Sequence, residues 1–214
     1  MNDTGTAIVW FRRDLRLTDN PALSAACEHA RHVIALYVHA PEEDGEWAPG
    51  GASRWWLHHS LARLDETLRA RGGRLTIRRG ASLETLLAVA RETGATHVYW
   101  NRLYDPARVA HDTQAKAALR EAGLHCESFN AALLHEPWEV RTGQGDPYRV
   151  FTPFWKACAA RIDSLPRPLP APGSIAAPAL PVASLALDDL QLRPRIRWDA
   201  GLHEAWTPGE AGAG

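Results

Sequence analysis

Three arginines and two aspartates crowd one short stretch, Arg12-Arg13-Asp14-Leu15-Arg16-Leu17-Thr18-Asp19. Guanidinium groups hold anions through forked, charge-assisted hydrogen bonds, so the stretch suits an anionic ligand. The plain alternative is a solvated loop with internal Arg–Asp pairs. The stretch follows Ile8-Val9-Trp10-Phe11, a wholly apolar run that reads as a buried parallel strand. It precedes Asn20-Pro21 and the apolar, helix-like Ala22-Leu23-Ser24-Ala25-Ala26. Strand, charged loop, helix: this order puts the arginines at the carboxyl edge of a sheet, where open α/β folds bind ligands. Phe11-Arg12-Arg13-Asp14 stands where a GxGxxG phosphate loop would be, which argues against dinucleotide binding of the dehydrogenase type. No Ser-His-Asp arrangement or carboxylate pair stands out, and no catalytic residue is assigned to this chain. No histidine pairs with Cys or Glu at metal-ligand spacing, so no metal is expected.

Periodicity shows the elements that must position these groups. Strands are expected at residues 7–11, 33–38, 75–77, 96–100 and 124–129. Helices alternate with them: about 21–30, then from Ser53 as N-cap to Gly72-Gly73, from Ser82 to Gly94, and from Asp105-Pro106 to Gly123. Leu57, Leu61, Leu64 and Leu68 recur at spacings of four, three and four, which makes one buried helix face. The alternation predicts an α/β fold, a doubly wound, Rossmann-like, five-stranded parallel sheet with right-handed crossovers. His39–Ala40 after the second strand and Asn101–Asp105 after the fourth join Phe11–Arg12 at the carboxyl edge. Asn101 and Asp105 can equally be helix caps.

Residues 130–150 are irregular, and Phe151 to about Ile162 reads as a further helix. Residues 166–181 carry six prolines, a semi-rigid linker unable to hold a helix or a central strand. The remainder to Gly214 is too poor in large apolar residues to build a second core. The chain is therefore divided into an α/β domain, residues 1–135, and a connection and linker, residues 136–214. With 214 residues, 45% of them hydrophobic, and a net charge of −1, it suits one domain plus an extension. A near-neutral charge is not that of an independent DNA binder. No apolar run is long enough to span a membrane, and the start lacks the pattern of a signal peptide. Cys27, Cys126 and Cys158, with no CxxC, read as reduced thiols of a cytoplasmic protein.

Val9 to Leu23, VWFRRDLRLTDNPAL, resembles the opening of the photolyase/cryptochrome family. Ser53 to Leu57 (SRWWL), Asn101 to Pro106 (NRLYDP) and Pro147 to Lys156 (PYRVFTPFWK) agree in the right order. The resemblance covers nearly all of residues 5–163, and SRWWL and NRLYDP are similar to the bacterial photolyases nearest plant cryptochromes. It implies the amino-terminal portion of a blue-light-dependent deoxyribodipyrimidine photolyase, a lyase that splits cyclobutane pyrimidine dimers in DNA. The electron would come from reduced FAD, so the cofactor carries the chemistry. FAD and the lesion pocket would belong to a helical domain that begins near Trp206–Ala213 and is absent from this chain, leaving the chain inactive alone. DNA would be engaged through the full-length protein, a monomer. The alternatives are a cryptochrome-type blue-light photoreceptor and a stand-alone nucleotide-binding module.

For this domain the resemblance implies a light-harvesting antenna, a flat chromophore held rigidly and partly stacked. Trp55-Trp56 can offer a stacking face. In relatives with this pair the antenna is a folate, methenyltetrahydrofolate. Adjacent helix positions point about 100° apart, so the two rings cannot do the same job. Trp56, one position before the leucine stripe, is as well suited to core packing. Arg54 resembles a family arginine near the sheet edge. The expected antenna site is Phe11, Arg12, His39, Ala40, Arg54, Trp55, Trp56, Asn101 and Asp105. Arg108 departs from the family pattern: it stands where the common folate site carries an acidic residue, which keeps a deazaflavin antenna open.

Overall fold

A computed structural model describes residues 5–213. Its strands are β1 (Thr6–Phe11), β2 (His32–His39), β3 (Leu75–Arg79), β4 (Ala95–Asn101) and β5 (His125–Phe129). They form one sheet in the order β3-β2-β1-β4-β5, and every neighbouring pair is parallel. Between them run α1 (Pro21–His29), α2 (Gly51–Arg69), α3 (Ser82–Thr93) and α4 (Pro106–Glu121); α5 (Phe151–Ala159) and α6 (Ala200–Ala205) follow.

Alternation along the strands builds two cores. Ala7, Val9 and Phe11 face one side with Val33, Ala35 and Tyr37, against Leu23 of α1 and Leu61, Leu64 and Leu68 of α2. Ile8 and Trp10 face the other with Ile34, Leu36 and Val38, against Leu86 and Val89 of α3 and Leu119 of α4. A strand buried on both faces must be apolar at every position, which is why β1 and β2 read as unbroken apolar runs. From β1 the sheet first grows one way, to β2 and β3, and then the other, to β4 and β5. Strand order thus reverses between β1 and β4, the point at which such a sheet opens a crevice.

None of three residues expected as caps makes a side-chain capping bond, although Asp105 holds the N-cap position of α4 with Pro106 after it. α2 begins at Gly51, so Ser53 lies inside its first turn. Asp105 precedes α4 but makes no capping bond; its carboxylate pairs with Arg13 instead. Ser82 is the first residue of α3, and both its N–H and its hydroxyl donate to Glu43. Asn20 does cap α1: its Oδ1 accepts from Leu23 N–H at 3.1 Å, and Pro21 takes the first helical position.

The proline-rich segment and the residues after it form a strap lying against the domain. Ile175, Leu190 and Leu192 are buried in the first core, so a tail too poor to build its own core completes this one. Ile175 N–H donates to Arg71 O at 2.7 Å, over the Gly72-Gly73 turn. A Cβ on Gly73 would stand 3.1 Å from the Ile175 side chain. β2 extends past β3, and there Val33 N–H donates to Ala176 O at 2.8 Å. Along β3 itself, Leu185 N–H donates to Ile77 O at 2.9 Å, and Ile77 N–H to Ser184 Oγ at 2.8 Å. An edge strand left open would invite pairing with another chain.

Candidate ligand-binding site

The reversal between β1 and β4 is filled by the protein itself. Arg12 Nη1 and Nη2 donate to the two carboxylate oxygens of Asp112 on α4, at 2.7 and 3.0 Å. Nη2 also meets Asn101 O, and the guanidinium lies 4.5 Å from the Trp10 ring centroid. Trp100 Nε1 donates to the same Asp112 at 3.1 Å. Asn101 ties the other side: its Nδ2 donates to Asp14 and Asn20 at 2.6 and 2.8 Å, while its Oδ1 accepts from Ala22 N–H at 3.2 Å. Burial raises the Asp112 pKa, but its hydrogen bonds and the Arg12 charge outweigh this and the net shift is downward. The charged loop is therefore self-paired, and Arg12 has no free cation to offer.

The open space lies beside this plug, above β1 and β2. A cavity of about 630 Å³ is walled by Tyr37, His39 and Ala40 at the end of β2, by Arg54, Trp56 and Leu57 of α2, and by Leu190 and Leu192 of the strap. That volume is in the range of small-molecule sites, roughly 300–1,000 Å³. Trp56 is 40% exposed at its wall, and Trp47 stands out at 86%. Arg54 is exposed, and its guanidinium has no partner among the described residues. Burial, then the nearby Arg79, lowers the pKa of His39, so it stands neutral near pH 7.

A second charged group secures the segment after β2. Glu43 accepts from Ser82 N–H and Oγ at 2.7 and 2.9 Å, and Arg108 pairs with Glu43 at 3.3 Å and with Asp44. His111 Nδ1 lies 3.7 Å from Asp112 and its Nε2 lies 3.6 Å from Glu43. These two carboxylates, Asp112 first, raise the His111 pKa to about 9 against its burial. At those distances the contacts are ion pairs, longer than hydrogen bonds. Burial pushes Glu43 up, but His111 and Ser82 outweigh it and bring the carboxyl down to about 2.

Of the residues expected from sequence, Arg12, His39, Ala40, Arg54 and Trp56 line the cavity. Phe11 does not; it is core, because alternation along β1 turns it with Ala7 and Val9 into the interface with α1 and α2. Trp55 is fully buried and donates from Nε1 to Asp199 at 3.0 Å. Asn101 is buried in the plug, and Asp105 is spent on an exposed ion pair with Arg13. Sequence reasoning missed Tyr37, Glu43, Asp44, Trp47 and the strap's Leu190 and Leu192; Arg108, noted only for its departure from the family pattern, lines the cavity as well. The acidic run Glu42-Glu43-Asp44 before Trp47 was the available signal. Its partners lie on α3 and α4, out of reach of any local pattern.

Fold and cavity together define a Rossmann-like α/β domain with a cavity of small-molecule size at the carboxyl edge of its sheet. The chain belongs to the DNA photolyase family: residues 7–173 match the family described as DNA photolyase. It is 45% identical over 211 residues to a deoxyribodipyrimidine photo-lyase of Agrobacterium fabrum, covering 98% of this chain and 43% of that one. It is 44% identical to cryptochrome-1 of Arabidopsis thaliana, covering 96% of this chain and 30% of that one. The crystal structure of a bacterial class III photolyase from Agrobacterium tumefaciens superposes with a TM-score of 0.91 at 45% identity, over 99% of this chain and 43% of that one. The chain thus spans less than half the length of these relatives. Among the described residues, no helix is long and apolar enough to cross a membrane.

Proposed function

We propose that this chain is the antenna-binding portion of a blue-light-dependent DNA photolyase that repairs cyclobutane pyrimidine dimers. Its cavity takes a folate-type antenna, methenyltetrahydrofolate. The observation that carries the reading is the half-exposed Trp56 beside the unpaired Arg54 on one cavity wall. A half-exposed indole gives a flat ring something to stack on, and a free guanidinium suits a carboxylate tail. Neutral His39 and Ala40 complete the direct contacts. Arg12 lines the cavity beside them, and Phe11 in the core, Trp55 against the strap, Asn101 in the plug and Asp105 paired with Arg13 support the segments that carry the walls. In this proposal FAD and the lesion pocket lie outside these residues, in the rest of a monomeric protein that engages DNA. Residues 1–135 then act as the antenna domain, and residues 136–214 lead towards the flavin domain.

Titration of the chain with methenyltetrahydrofolate, a deazaflavin and AMP, followed by absorption and tryptophan quenching, tests the site. Saturable folate binding, weakened about tenfold in W56A, is expected. Binding of AMP alone would favour the nucleotide module. Binding of the deazaflavin alone would replace the folate, and Arg108 favours that second reading. The likeness to cryptochrome-1 of Arabidopsis supports a photoreceptor as the competing activity. Full-length protein with reduced FAD, dimer-containing oligonucleotide and blue light decides: restored thymines support repair, and their absence supports the photoreceptor.

A further inference from the structure

Three imidazoles and an indole meet where the strap docks on α2. The His59 ring lies 4.5 Å from Trp55, 4.5 Å from His203 and 5.0 Å from His58, centroid to centroid. His203 stands edge-on to Trp55 at 4.9 Å. Trp55, His58 and His59 belong to α2; His203 and the Trp55 acceptor, Asp199, belong to the strap. The strap also walls the cavity, through Leu190, Leu192 and Glu210. The cluster is thus the seam between one cavity wall and the domain.

This seam suits neutral imidazoles and resists imidazolium. His58 Nδ1 and His59 Nε2 are buried with no hydrogen-bond partner. An imidazolium carries a donor on both nitrogens, so protonation would leave a buried charge and an unmet donor. The charged and titratable groups facing His59 are His58 on α2, His203 on α6, and Arg193 and Asp199 on the strap; those facing His58 are Arg193 and Asp188. Burial first, then the neighbouring His58, His203 and Arg193, lowers His59 to about 4, and burial with Arg193 lowers His58. Asp199 and Asp188 oppose these shifts without reversing them.

We propose that His58 and His59, packed against His203 of the strap, form a pH-sensitive latch, which docks the strap and its cavity wall near neutral pH and releases them in acid. The latch stands on the seam alone; only its consequence, weaker antenna retention in acid, rests on the reading of the cavity given above. His58 and His59 bind fewer protons with the strap docked than with it free. Docking is therefore complete above the ordinary histidine value of 6.5, weakens as pH falls towards 4, and loses nothing further below that. Discounted for solvent screening, the open population rises about tenfold between pH 7 and pH 5.

Amide hydrogen exchange on the ligand-free 214-residue chain tests this at pH 7 and pH 5, with rates corrected for intrinsic pH dependence. Leu202 and His203 N–H donate to Asp199 O, and Trp206 N–H to Leu202 O, so these amides report the strap. Their protection should fall about tenfold while that of β1 holds. H59Q, and independently H203Q, should reduce the fall to about threefold or less. Constant protection in the unmutated protein, an equal loss in β1, or an undiminished fall in both variants would overturn the latch. No chromophore is present, so failure of the folate titration leaves the latch standing, and failure of the latch leaves the antenna reading standing.

Discussion

Trp55 and Trp56 are neighbours in sequence and differ in duty, because a helix turns about 100° between them. Trp55 is fully buried against the strap, and Trp56 faces the cavity. W55A should lose about 3–5 kcal/mol, as a buried Trp→Ala does, and melt well below the unmutated protein. W56A should melt almost unchanged and lose about tenfold in folate affinity. Thermal melts and titrations on both variants separate the two roles; the reverse pattern would exchange them. Arg12 offers a second comparison. Its pair with Asp112 is nearly buried, with side chains 8% and 12% exposed. D112A strands a buried guanidinium and should lose about 3–5 kcal/mol in urea unfolding. The double variant R12M/D112L should recover only part of that loss, because Trp100 Nε1 and His111 lose the same carboxylate.

At the scale of elements, Glu43 joins the segment after β2 to α3 through Ser82 and to α4 through Arg108 and His111. The pH dependence of this junction has two limbs. His111 is raised from 6.5 to about 9, so its contribution is complete below 6.5 and lost as pH rises through 9. Glu43 is lowered from 4.5 to about 2, so its contribution is present above 4.5 and lost as pH falls through 2. The junction is therefore strongest between pH 4.5 and 6.5. E43Q should move the His111 midpoint down towards its ordinary 6.5, leaving only Asp112 to hold it up. An NMR titration of the His111 ring reads this directly; an unmoved midpoint would mean that Asp112 alone sets it.

On the scale of the whole molecule, the strap makes the domain's core continuous with its tail. Leu190 and Leu192 are each 3% exposed. Burying a leucine is worth about 1.5–3 kcal/mol. Ser184 and Leu185 also satisfy the outer edge of β3. Truncation after Ala183 should lower the melting temperature and raise light scattering as the bare edge finds other chains. A monodisperse truncated protein with an unchanged melt would show that the strap is only a connection.

The five parallel strands and the alternating helices could be read from the sequence, because a strand buried on both faces must be apolar throughout and a one-sided helix must repeat its leucines. The family was equally legible, through VWFRRDLRLTDNPAL and SRWWL, since local motifs survive as strings. Neither kind of reading could say which groups were free. Arg12 looked like an anion holder until α4 brought Asp112 to it from one hundred residues away. Ser82 and Asp105 had the composition of caps, yet their side chains found long-range partners, Glu43 and Arg13. The tail looked like a linker because its own apolar content is small; only packing showed that it fills a core built by other segments. Secondary structure follows from neighbours within a few residues. The availability of a charge or a ring depends on what the folded chain places against it, and that the tertiary structure alone decided.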